Sequence, residues 1–138
     1  MAPPGMQGSM IDGGSFRGQR LGVRELIREG MVWTFNGTAG DPESHDAALF
    51  TVARGRTVVL RMVNDSAWPH AMHLHGHHFQ VLARTVGVAK PWLHDTILMQ
   101  PREEMMVGFL ADNPGKWMIH CHMLEHQMSG MQAWFEVA

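Results

Sequence analysis

Apolar and polar residues alternate with a period of two through most of the chain, the pattern of strands with one buried face. It is plainest near the C-terminus. There Met131, Ala133, Phe135 and Val137 fall on one face, and Gln132, Trp134 and Glu136 on the other. The same reading predicts strands over 31–36, 48–53, 57–64, 69–82, 96–100, 104–110, 116–122 and 131–137. Between them lie turn signals at Asn36-Gly37, Arg54-Gly55-Arg56, Pro101 and Asp112-Asn113-Pro114-Gly115, and loops over 38–46 and 83–94. Only 21–30 departs from the pattern. Val23, Leu26 and Ile27 stand there at helical spacing, closed by Gly30, which predicts a single short helix. Residues 1–20 are rich in Gly, Met, Pro and Ser without periodicity, and read as a flexible lead-in. The expectation is an all-β fold of about eight short strands, a sandwich or Greek-key barrel, forming one domain over 21–138.

Composition narrows the function. The chain has 138 residues, 45% of them hydrophobic and 17% charged, which is enough for one real core. A formal net charge of −2 gives no reason to expect a nucleic-acid or anionic-membrane partner. No apolar run approaches the length of a membrane span, and the N-terminus shows no apolar export segment. Ten histidines and thirteen methionines are many for this length, and eight of the histidines fall in two clusters.

The second cluster carries the chemistry. Residues 120–131 read His-Cys-His-Met-Leu-Glu-His-Gln-Met-Ser-Gly-Met and hold the only cysteine, Cys121. A thiolate, an imidazole at His126 and a thioether at Met131 are three parts of a blue-copper site, which needs two imidazoles, a thiolate and a weak axial ligand. The fourth part must come from the first cluster, His70-Ala71-Met72-His73-Leu74-His75-Gly76-His77-His78. Strand parity sorts the candidates. Cys121 shares a face with Trp117 and Ile119, while His120 and His122 share the other. In an extended 70–77, His70 joins Met72 and Leu74 on one face, and His73, His75 and His77 lie opposite. The inward set is therefore His70 with Cys121. The outward set is His73, His75, His120 and His122, all imidazole, which suits copper, zinc, iron and nickel alike. A mixed Cys/His zinc site is the competing chemistry, although one cysteine is few for it. His77 and His78 read as supporting or structural, His45 and His94 as ordinary surface residues. Asp95, Thr96 and Glu125 are candidates to hydrogen-bond the ligand imidazoles.

These two motifs resemble those of the C-terminal domain of laccase-type multicopper oxidases. The stretch 70–79 resembles the family's His-Pro-x-His-Leu-His-Gly-His, and His120-Cys121-His122 through His126 and Met131 resembles its second motif. The resemblance spans about 26–137 and implies a cupredoxin fold. It implies that His70, Cys121, His126 and Met131 hold a type 1 copper. It implies that His73 serves a type 2 copper, and that His75, His120 and His122 serve a type 3 pair. By the same resemblance, one-electron oxidation of a small reducing substrate, phenolic or cuprous ion, is coupled through His120-Cys121-His122 to reduction of dioxygen. It also implies an exported, often periplasmic, protein. Two residues depart from the family pattern: Ala71 replaces a common proline, and Gln127 an acidic residue linked to proton delivery. The family's cluster takes eight histidines, and four of these come from an N-terminal domain. A homo-oligomer joined through the His-x-His face would assemble eight. A stand-alone blue-copper carrier and a copper-sequestering module remain the alternatives.

Overall fold

The computed structural model describes residues 13–41 and 48–138, apart from the side chain of Leu124; His45 and residues 1–12 lie outside them. Strands dominate, as the alternation predicts. They are β1 (Gly14–Phe16), β2 (Gln19–Leu21), β3 (Thr51–Val52), β4 (Thr57–Val63), β5 (His70–Leu74), β6 (Phe79–Arg84), β7 (Leu93–His94), β8 (Thr96–Met99), β9 (Glu104–Leu110), β10 (Gly115–Cys121) and β11 (Gln132–Val137). Two short helices interrupt them, α1 (Val23–Arg28) and α2 (Leu124–Met128).

A five-stranded sheet, ordered β3-β11-β10-β5-β8, packs on a four-stranded sheet, ordered β4-β9-β6-β7. Neither closes on itself, so the fold is a sandwich rather than a barrel. The core lies between them. Leu74, Ile119, Cys121, Phe135 and Val137 come from one sheet; Met62, Phe79, Val81, Met105, Val107 and Phe109 come from the other. Along β9 burial alternates residue by residue, as the period of two requires.

Three expectations differ from the structure. Residues 13–20 are not a lead-in: β1 and β2 form a hairpin, and Phe16 packs with Leu26, Met31 and Ala39 in a second small core. The expected strand over 31–36 carries only an isolated bridge, Phe35 with Thr38. Its backbone instead laces to the α2 loop, where Val32 N and Trp33 N both donate to Ser129 O, at 2.8 and 2.9 Å. The expected strand over 69–82 breaks into β5 and β6 at Gly76, whose φ of 74° is left-handed. A Cβ at Gly76 would also fall 2.5 Å from the Trp117 ring. The break turns His77 inward, so the parity drawn for an unbroken 70–77 fails at that residue.

Candidate metal centre

β10 is the middle of the site because β5 beside it and α2 beyond its end both bring histidines to it. It pairs with β5 in the register His120↔His73 and Cys121↔Met72, and with β11 at its other edge. β5 buries His70, Met72 and Leu74 and leaves Ala71 and His73 half-covered. Beyond β10 the chain turns into α2, which carries His126 back over Cys121. Gly130 ends this turn with a φ of 114°, and a Cβ there would lie 2.1 Å from Trp33 O. Only glycine fits that position.

The inward set converges. His70 Nδ1 and His126 Nδ1 lie 3.1 Å apart, and Cys121 Sγ lies 3.8 and 3.6 Å from them. Nitrogen and sulfur ligands roughly 2.0 and 2.3 Å from one ion, spread trigonally, would stand about 3.5 to 3.7 Å apart. The three donors therefore fit a single ion without rearrangement of the backbone. Met131 is fully buried in the same core, and its carbonyl accepts Cys121 N at 3.1 Å. Trp33 closes the outer side, with its ring centroid 4.8 Å from that of His70 and 4.7 Å from that of His126.

Electrostatics favour neutral donors. Burial, and then the charge of His126, push His70 down to about 4. Burial also lowers His126, with Glu125 opposing it. Both imidazoles thus offer lone pairs at neutral pH. Burial raises the Cys121 thiol, against the pull of nearby backbone N–H groups. A cation bound here must therefore displace the thiol proton.

The outward set is looser. His73, His75 and His120 bring ring nitrogens within 4.8 Å of one another, with His75 Nε2 and His120 Nε2 2.9 Å apart. His122 stands beside them, its ring centroid 5.4 Å from that of His73. Backbone acceptors fix two of these rings: His120 Nδ1 donates to Cys121 O at 2.9 Å, and His73 Nδ1 to Asp95 O at 2.9 Å. Each then presents Nε2 as an acceptor. Burial lowers His75, as do the charges of His73 and His122. Burial lowers His120 despite its bond to Cys121 O. His122 is exposed, whereas His120 is buried although it shares that face.

The sequence of this chain matches the multicopper oxidase family model over residues 19–138. The chain belongs to the multicopper oxidase family. It is 38% identical over 101 residues to the multicopper oxidase MmcO of Mycobacterium tuberculosis, covering 72% of this chain and 18% of that protein. It is 28% identical over 152 residues to a laccase of Neurospora crassa, covering 80% of this chain and 25% of that one. The solved multicopper oxidase of Pseudomonas thermotolerans superposes with a TM-score of 0.66 at 35% identity, over 68% of this chain and 23% of its own. McoA of Aquifex aeolicus superposes at 0.68 and 30% identity, over 77% and 26%. The chain thus spans a quarter or less of the curated relatives just named. Its architecture is the cupredoxin-like sandwich of these oxidases, and copper is the family's cofactor.

Within this multicopper oxidase domain, His77 is structural: it is packed against Phe109, Trp117 and Phe135, with Nδ1 on His75 O. His94 is not an ordinary surface residue, since its ring stacks on Phe79 and its Nε2 is buried. Asp95 and Thr96 do reach His73, through a carbonyl and a hydroxyl. Sequence reasoning missed Trp33, which sits in a segment read as a plain strand, and Ser66, whose Oγ lies 2.9 Å from His70 Nε2. The only advance signal for Ser66 was its place two residues after Asn64, a common Asx-turn spacing.

Proposed function

We propose that this domain holds a type 1 copper at His70, Cys121, His126 and Met131. We propose further that it contributes His73, His75, His120 and His122 to a second, oxygen-reducing copper site. The observation that carries this reading is the paired geometry: one closed sulfur-containing donor set, and one imidazole set a single strand position away on the opposite face of the same sheet. Bound copper would supply one-electron redox chemistry at the first set and reduction of dioxygen to water at the second.

The chain's own residues would do the rest. Burial of His70, Cys121 and Met131, with Trp33 over the imidazoles, keeps water from the inner donors and so helps set their potential. The Cys121 backbone joins the two sets directly, through its neighbours His120 and His122 and through the bond from His120 Nδ1 to Cys121 O. The half-exposed His126 would be the side on which a small reductant, a phenol or cuprous ion, meets the inner set and delivers one electron; four such electrons with four protons would balance the reduction of one dioxygen to two waters. The outward imidazoles are half a cage. Their remaining partners come from another part of a longer protein or from a second copy meeting this face. A simple electron carrier has no use for the outward set, which favours the oxidase reading. An exported setting belongs to the same proposal and rests on the family resemblance. No helix among the described residues is long and apolar enough to cross a membrane.

Elemental copper analysis, oligomer mass and oxygen uptake with a phenolic substrate test the reading together. We expect one thiolate-bound copper per chain in every state, with further copper and oxygen uptake only where the His-x-His face is completed. A copper-loaded monomer with one ion per chain that still consumes oxygen with substrate would refute the two-site reading.

A further inference from the structure

The loop between β4 and β5 contains a closed polar relay that ends on His70. Asn64 is fully buried, and Ser66 nearly so. Asn64 Nδ2 donates to Trp68 O at 2.7 Å and to Gln100 O at 3.0 Å, which uses both amide protons and fixes the amide's orientation. Asn64 Oδ1 therefore faces Ser66, accepting its N–H at 3.1 Å and its hydroxyl at 2.7 Å. The far end of the relay is anchored. Gln100 N donates to Glu103 Oε1 at 2.9 Å, and Glu103 is buried in a two-pronged ion pair with Arg84.

Proton counting then decides the state of His70. The Ser66 hydroxyl has one proton. If that proton pointed at His70, Ser66 Oγ and Asn64 Oδ1 would face each other 2.7 Å apart with only lone pairs between them. That is repulsive, so the proton lies toward Asn64 Oδ1 at 2.7 Å or Trp68 O at 3.2 Å, and in either case away from His70. Ser66 Oγ is left as an acceptor, and His70 Nε2, 2.9 Å away, must carry a hydrogen to donate. The lone pair then falls on Nδ1, the atom that faces Cys121 and His126.

We propose that Asn64 and Ser66 are positioning residues: they lock His70 in the Nε2–H tautomer, so that Nδ1 is ready as a ligand before any metal arrives. His126 is not held from outside in this way: with a lone pair on His70 Nδ1, His126 Nδ1 at 3.1 Å carries hydrogen in the metal-free chain and must release it when a metal arrives. The pair thus gives the inner set one fixed imidazole and one adaptable one. An anchored hydrogen-bond acceptor also raises the basicity of the imidazole it holds. The proposal rests on the copper assignment made above for its consequence, but not for the tautomer itself.

Nitrogen-15 resonance of the imidazoles in the copper-free chain at pH 7.5 tests the tautomer, and chelator competition followed by thiolate–copper absorption tests the consequence. The wild-type chain is expected to show His70 with hydrogen on Nε2 alone. Ser66→Ala is expected to give a mixture of tautomers and to weaken copper binding about 10–100-fold. Ser66→Thr, which keeps the hydroxyl, is expected to restore both. A wild-type ring with hydrogen on Nδ1 overturns the proposal, as does a Ser66→Ala variant with unchanged tautomer and affinity. If Ser66→Ala fails to fold, the wild-type tautomer decides. If the wild-type chain shows no thiolate absorption at all, the copper assignment falls, and the tautomer still reads the relay on its own.

Discussion

The two faces of β10 hold donor sets of opposite character. On the inner face, His70, Cys121 and His126 form a mixed sulfur and nitrogen set, closed over by Trp33 and completed within 138 residues. On the outer face, His73, His75, His120 and His122 are all imidazole and lie at a boundary where His122 is exposed. The contrast teaches that one strand can serve two sites because its period of two sends neighbours in sequence to opposite faces. The inner donors lie within 3.8 Å of one another. The outer set ends at an exposed edge, which is why its remaining partners are proposed to come from elsewhere.

The sharpest way to break this comparison is to remove the sulfur. In the assembled form, Cys121→Ser is expected to abolish the thiolate–copper absorption completely while leaving copper at the outward imidazoles; absorption and copper counting read the two separately. The converse variant, His120→Ala, is expected to keep the blue absorption and to lose outward copper, measured by stoichiometry on the assembled form. Next in size is Gly130→Ala. It forces a side chain into left-handed backbone against Trp33 O, and is expected to cost about 2 kcal/mol or more in a urea melt. It also loosens the loop that carries His126, so copper affinity at the inner set should fall with stability.

The smallest effect is acid sensitivity. His70 is held at about 4 in the fold, below the ordinary value of 6.5. Between those values the unfolded chain binds more protons than the folded one, so folding stability falls as pH falls. The copper-free chain is therefore expected to be fully stable above pH 6.5 and to lose stability progressively toward pH 4. His75, His120 and His126 shift in the same direction and add to the slope. Urea midpoints at pH 7.5, 5.5 and 4.5 measure it, and a flat profile would contradict the burial of these rings.

Much of this site is legible in the sequence because parity is a local rule. The faces of Trp117, Ile119 and Cys121 follow from alternation alone, as do those of His70 and Met72, and the register His120↔His73 brings the two rows together. Parity stops where the strand stops. His126 lies on α2, a helix of Leu, Glu, His, Gln and Met that is too short to show a periodic stripe. His77 lies past Gly76, whose left-handed backbone resets which way the next residue points. Trp33 and the hairpin of β1 and β2 were not legible at all. Their positions depend on contacts with Ser129 and Gly37 that are distant in sequence. The Asn64–Ser66 relay was hidden for a similar reason, since its meaning depends on Gln100 and Glu103 across the fold.

Titration of the copper-free chain with cupric ion, followed by absorption and paramagnetic resonance, tests the central claim most directly. The account predicts an intense thiolate–copper band that saturates at one equivalent per chain, ahead of any imidazole-only signal. Binding of the first equivalent with imidazole-only resonance and no sulfur-to-copper absorption would contradict it.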